Sequence, residues 1–383
     1  TDRQTPAVLL ALDISAAFDT LDHQRLLARA KTLFGFDDNV LRWLQSYLSG
    51  RQQFVSIGGK RSQTVTLGSG VPQGSVLGPL LFSVFTTPVG TLIKSFGMHY
   101  HIYADDTQLY TAINPTSPDS LSKLTACADA VTGWHIRNDL LLNPNKTEAI
   151  ITGTRQQIAK FDQTVGISVS GTIVPFVPKL RVLGVTIDSQ LSFDDHVTGV
   201  VRACNYHIRA LRHIRPLINR ETANTIACSI VFSRLDYCNA ILYGITDQNI
   251  KRLQCVQNSL ARVVCLAPYR SSGTRLRRSL HWLPVSQRIE YKIASLTFKT
   301  RLHHQPAYLS ELIVDRARTQ SLRSSDKALL NVPRTKTKIA SRAFSVAAPT
   351  IWNNLPLDLR STTNIRTFHQ RLKTFLFDRA YGG

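Results

Sequence analysis

The stretch YADDTQLY, residues 103–110, sets two carboxylates, Asp105 and Asp106, side by side between two apolar runs, and AVLLALDI, residues 7–14, carries a third, Asp13, near its end. Neighbouring like charges oppose each other's ionisation and burial opposes both, so a purely structural sequence avoids this arrangement. Two explanations fit the residues themselves. An Asp-Asp pair suits a solvated hairpin tip, because Asp tolerates turn geometry. A divalent cation suits it too, since Mg2+ takes oxygen ligands in near-octahedral geometry, commonly one or two carboxylates plus substrate phosphates. Two such ions, about 3.5–4 Å apart, activate an attacking hydroxyl and stabilise the leaving oxygen in phosphoryl transfer. The three carboxylates converge only if the strands that carry them pair in one sheet.

The pattern around them supplies candidate strands and helices. AVLLALDI is a short continuous apolar run and predicts a buried strand, and HIYADDTQLY predicts two short strands joined at the Asp pair. The segment to about Phe34 and LRWLQSYL read as helices, the second stopped by Gly50. QQFVSI and SQTVTL flank Gly58-Gly59 with alternating apolar positions, a hairpin signal. After the glycine-rich SGVPQGSVLGP, the run LLFSVFTTPVGTLI predicts a helix at its start; SLSKLTACADAVTGWHIRNDLL predicts another, and AIITG and LRVLGVTI further strands.

From Ser192 onward helices replace strands. Val197, Val200, Val201, Cys204, Ile208 and Leu211 form one apolar stripe, and Ser192 with Asp195 resembles a capping box. Further helices are expected over about 221–242, 248–266, 288–303 and 365–379, with SSGTRLRR (271–278) as a linker or basic loop and a polar, basic stretch from Arg316 to Lys338. The last helix puts Ile365, Phe368, Leu372, Phe375 and Leu376 on one face, so it should dock.

Charge divides the chain in the same place. Residues 1–200 hold 16 Lys and Arg against 16 Asp and Glu, whereas residues 201–383 hold 30 against 9, so the whole net charge of +21 lies in the second half. A polyanion is the expected partner, held by phosphate neutralisation and counterion release. The longest apolar run, Val76 to Ile93, is broken by Gly78, Pro79, Ser83, Pro88 and Gly90, so no membrane span is expected. No secretion signal is read, and six scattered cysteines without Cys-x-x-Cys spacing predict reduced core thiols in an intracellular protein. The chain starts at Thr1 rather than Met and enters a strand almost at once, which predicts a fragment.

LALDISAAFDTLDH, SGVPQGSVLGPLLFSVF, YADDTQLY, LNPNKT and LRVLGVTID, in that order, resemble the consecutive motifs of a reverse transcriptase palm, in the LINE-type (non-LTR) retrotransposon branch. AFSVAAPTIWNNLPLDLRS and TFHQRLKTFLF resemble the C-terminal region of such elements. The resemblance implies an α+β fold: a palm (antiparallel sheet backed by helices) with incomplete fingers over 1–190, an α-helical thumb over 191–270, and a basic, mostly helical C-terminal region over 271–383. It implies Asp13, Asp105 and Asp106 as metal ligands for two Mg2+ ions, with Mn2+ as a substitute. Lys146 would protonate the pyrophosphate leaving group. Phe18 would be a steric gate against a ribose 2′-hydroxyl, and Ile14, Gln73 and Gly74 would contact the incoming nucleotide. Leu183, Gly184 and Val185 would form the primer grip.

The implied activity is RNA-directed DNA synthesis, with an RNA template, a DNA primer or target, and deoxynucleoside triphosphates as partners. The alternative is a catalytically inactive, truncated remnant that binds RNA or primed duplex. An RNA-dependent RNA polymerase with the same palm is disfavoured by Phe18. Action in the nucleus and cytoplasm is implied by the resemblance alone, and nothing in the sequence specifies an oligomeric state. Trp282 and Trp352 read as core anchors in preference to base-stacking platforms.

Overall fold

Strand β1 (Ala7–Leu12) buries Val8, Leu10 and Leu12 on one face and leaves Ala7, Leu9 and Ala11 half-buried on the other. The alternation, hidden in an all-apolar run, makes it the inner strand of an antiparallel sheet with β2 (His99–Tyr103), β3 (Asp106–Ala112) and β4 (Glu148–Thr152), in the order β4-β1-β3-β2. Register is fixed along its length: Leu9 faces Tyr110 on one side and Ile150 on the other. The computed structural model describes residues 5–114, 119–161, 166–316 and 329–382.

Helices cover the buried face. His23–Phe34 starts where the Asp22 carboxylate accepts from the Arg25 N–H and stops at Gly35 in the left-handed conformation, φ 66°. Gly78–Ser95 runs through Pro88 and Gly90, well past the start expected, and buries Leu81, Phe82, Phe85, Val89 and Ile93. Asp119–Arg137 buries Leu124, Cys127, Ala128 and Val131. These side chains and the sheet form one core, in which Phe82 and Phe85 are fully buried. Around Gly58-Gly59, Ser56–Ile57 pairs with Lys60–Arg61 and Gln52–Gln53 with Val65–Thr66, an exposed hairpin as its glycines predict.

The chain packs into two units, residues 5–182 with 188–190 and residues 183–187 with 191–382. In the second, the helices Asp194–Ile214, Asp247–Val264, Val285–His303, Phe344–Asn353 and Ile365–Tyr381 share a core. Its centre is aromatic. Phe298 stacks on Phe368 with centroids 4.2 Å apart, Trp352 lies 5.9 Å from Phe368, and Trp282 meets Phe232 edge-on at 4.6 Å. Both tryptophans are buried, as anchors should be. Among the described residues no helix is long and apolar enough to cross a membrane.

Four local expectations are corrected. The helix expected to be capped by Ser192 starts one residue late, at Asp194, with Phe193 at the cap in the left-handed region, φ 61°, and the Ser192 hydroxyl accepting from the Asp194 N–H. The helix expected over 221–242 is interrupted: it runs from Arg220 to Leu235 through a π-helical turn at Ala227–Phe232, then Cys238 at φ 50° reverses the chain into a short 3-10 turn. SSGTRLRR is neither linker nor loop. Ser272 caps a helix, Gly273–Ser279, whose Arg277 is buried against Asn258 and Tyr381, so packing on distant residues decides it. Of the six free cysteines only Cys127 and Cys204 are core thiols; Cys228 and Cys255 are exposed. Part of the basic stretch, residues 317–328, lies outside the described residues.

Candidate active site

The antiparallel register carries the carboxylates together. Leu12 faces Thr107 at the end of the β1–β3 ladder, so Asp13, the next residue, stands opposite Asp106, and Asp105 lies in the adjoining turn between β2 and β3. Ala104 takes a left-handed φ of 53° to make that turn. Asp13 is held from behind. Its carbonyl accepts from the Asn143 N–H at 2.8 Å, and the following Ile14–Ser15 pairs with Leu141–Leu142.

Electrostatics at this sheet end are unfavourable as built. Asp13 Oδ2 is buried and accepts no hydrogen bond. The Asp106 side chain reaches the surface, yet its carboxyl is raised above the ordinary value, by partial desolvation first and then by the charges of Asp105 and Asp13. A buried carboxylate oxygen without a donor, beside two further carboxylates, is the donor set that a hard cation satisfies. Among the described residues no three acidic, His or Cys side chains are gathered round one point as a metal site.

Two loops pack on the chain around and after Asp13. In the first, the Gly70 N–H donates to Leu21 and the Val71 N–H to Phe18, both at 2.7 Å, and Gln73 Nε2 reaches both Asp19 carboxylate oxygens at 3.0 and 2.9 Å. Phe18 is half-buried with its ring 5.2 Å from Phe82, and Gly74, φ 79°, has open space around it. In the second loop, Thr147 Oγ1 donates to the Asn143 carbonyl, which ties the exposed Lys146 to the backbone that holds Asp13. The Ile14 side chain is buried, leaving only its backbone to offer.

Sequence reasoning therefore missed Asp19, His23 and Gly70. The His23 ring bonds the Gly70 carbonyl at 2.7 Å, and a Cβ on Gly70 would lie 2.6 Å from the Asp19 carbonyl oxygen. Only glycine fits there, at φ 86°. The signal was the GSG run, residues 68–70, ahead of VPQG, readable as a close approach only once its partner is known. Gly70→Ala is expected to destabilise the first unit by about 1–3 kcal/mol; chemical denaturation followed by circular dichroism measures it.

Leu183, Gly184 and Val185 belong to the second unit. Leu183 and Gly184 form a tight turn at φ 45° and 81°, the Tyr237 hydroxyl donates to the Leu183 carbonyl at 2.5 Å, and Val185 is buried.

With this geometry in hand, the family profile described as "Reverse transcriptase (RNA-dependent DNA polymerase)" matches residues 1–187. This part of the chain is a reverse transcriptase domain of the non-LTR, LINE-type branch. Among its curated relatives, the probable RNA-directed DNA polymerase from transposon BS of Drosophila melanogaster is 29% identical over 76% of this chain and 33% of its own length. The RNA-directed DNA polymerase from mobile element jockey of the same organism is 27% identical over 72% of this chain and 30% of its own. The chain thus spans about a third of these relatives. A solved telomerase from Candida tropicalis is similar at 10% identity, covering 81% of this chain and 53% of that one, with a TM-score of 0.38. Reverse transcriptases use divalent metal ions.

Proposed function

We propose that this reverse transcriptase domain extends a DNA 3′-hydroxyl on an RNA template, using deoxynucleoside triphosphates. The observation that carries the reading is the end of the β1–β3 ladder, where Asp13, Asp105 and Asp106 share one electrostatic environment and a buried carboxylate oxygen lacks a donor. The similarity of residues 1–187 to reverse transcriptases supports it.

In this reading Asp13, Asp105 and Asp106 hold two Mg2+ ions, with Mn2+ as a substitute. When bound, these ions lower the pKa of the attacking hydroxyl and offset the charge that develops on the leaving pyrophosphate. The chain's own residues do the rest. Phe18, whose ring lies 5.2 Å from that of Phe82, serves as the gate against a ribose 2′-hydroxyl, which selects deoxynucleotides. Gln73 and Gly74 bound the nucleotide, the glycine letting a backbone approach closely. Lys146 delivers a proton to the leaving group, and Leu183, Gly184 and Val185 grip the primer end. Residues 1–190 then serve as palm with part of the fingers, 191–270 as thumb and 271–383 as a basic flank for nucleic acid.

Deoxynucleotide incorporation by the whole chain on an RNA template with an annealed DNA primer tests this, beside Asp105→Ala. Incorporation that needs a divalent cation and disappears in the variant, with circular dichroism unchanged, is the expected result. Incorporation that survives in Asp105→Ala would sink the assignment. Binding without synthesis by either protein would favour the inactive remnant.

A further inference from the structure

Within the second unit the π-helical turn Ala227–Phe232 opens one wall of a cavity of about 540 Å³. Its lining carries Arg288, Lys292 and Lys373 against a single carboxylate, Asp236. Arg288 is already spent, paired with Asp236 and lying over the Phe232 ring at 4.0 Å. Lys292 and Lys373 are exposed and have no ion-pair partner among the described residues. The exposed His281 ring stacks on Phe377 at 5.5 Å, which fixes its plane at the cavity. In the wall, Asn239 is 4% exposed; its amide nitrogen donates to Asp236 while its Oδ1 is buried without a donor.

These features describe a missing ligand. Two ammonium groups without ion-pair partners call for phosphate, and a flat ring held on one face by Phe377 offers the other for stacking. The volume falls within the range of small-ligand and cofactor sites, about 300–1,000 Å³. π-Turns cost regular hydrogen bonding and recur at functional sites. We propose that this cavity binds a nucleotide of a single-stranded nucleic acid, its phosphate between Lys292 and Lys373 and its base against His281, at a site separate from the Asp13–Asp105–Asp106 cluster. The proposal stands whether or not that cluster is catalytically competent.

Cys228 lines the cavity and is exposed, whereas Cys255, also exposed, lies on another helix outside it and serves as an internal control. Burial raises the Cys228 thiol above its ordinary value, against the opposing pull of Arg288 and Lys373, so alkylation is best run at alkaline pH and read by peptide mass spectrometry. At tenfold excess over its dissociation constant, a short unstructured RNA is expected to slow Cys228 alkylation roughly tenfold and to leave Cys255 within about twofold. Lys292→Gln with Lys373→Gln should remove that protection and flatten the log-log salt dependence of RNA binding by about 1.4, two phosphates' worth. Both positions are exposed, so folding survives, and circular dichroism checks it.

Three results would overturn the assignment: Cys228 reactivity unmoved while fluorescence anisotropy reports bound RNA, protection undiminished in the double variant, or equal protection by a polyglutamate peptide. A failure of nucleotide incorporation would not touch it.

Discussion

Asp13→Asn abolishes divalent-cation binding and lowers deoxynucleotide incorporation by roughly 10²-fold or more, with no loss of stability in metal-free buffer. The first half of this expectation follows from position: Asp13 ends the inner strand of the sheet, opposite Asp106, with one oxygen buried and without a donor. The second half follows from sign. Three carboxylates at one sheet end repel, and removing the Asp13 charge relieves its share of the repulsion on Asp106, while the burial of Asp106 and the Asp105 charge still raise that carboxyl. Thermal melts with and without Mg2+ check it: the cation should raise the midpoint of the parent chain and leave the variant unmoved. An Asp13→Asn protein that melts well below the parent without metal would mean that the carboxylate is structural.

The second large effect lies in the tail. Phe368→Ala should cost about 3–5 kcal/mol and lower the melting midpoint by roughly 6–20 °C. Phe368 is fully buried, stacked on Phe298 and close to Trp352, and truncation leaves a cavity among rings that cannot collapse. Near-UV circular dichroism reports it directly, because Trp352 loses its neighbour. An unchanged midpoint would mean that the C-terminal helix contributes no folding energy.

The two expectations also mark what the sequence made readable. The carboxylates and their strands were legible because a short apolar run, a turn-forming Asp pair and paired glycines are local signals: Gly58-Gly59 and the Asp105 turn stand where the residues predict, whereas LRVLGVTI, expected as one strand, is broken by the Leu183-Gly184 reversal into two, Lys179–Val182 and Val185–Asp188. Phe368, Leu372 and Leu376 were legible as a docking face for the same reason, since helical spacing is local. What was not legible depends on partners far along the chain. SSGTRLRR is a helix because Ser272 caps it and Arg277 finds Asn258 and Tyr381, the latter 104 residues away. Gly70 matters because of the Asp19 carbonyl, and the π-turn at Ala227–Phe232 has no signature of its own. The cavity beside that turn is assembled from three separate segments, so no window of sequence contains it.

The sheet order has a consequence for how the protein is made. Leu9 pairs with Tyr110 and with Ile150, partners that follow it by 101 and 141 residues. The strand that leads to Asp13 therefore emerges from the ribosome early and waits, apolar and unpaired, until both flanking strands have been synthesised. At about 5–20 residues per second that interval is on the order of 7–30 s. Long-range antiparallel pairing of this kind also folds slowly once complete. The segment that positions the chemistry is thus the one most exposed to misassembly during synthesis, and chaperone dependence should concentrate there.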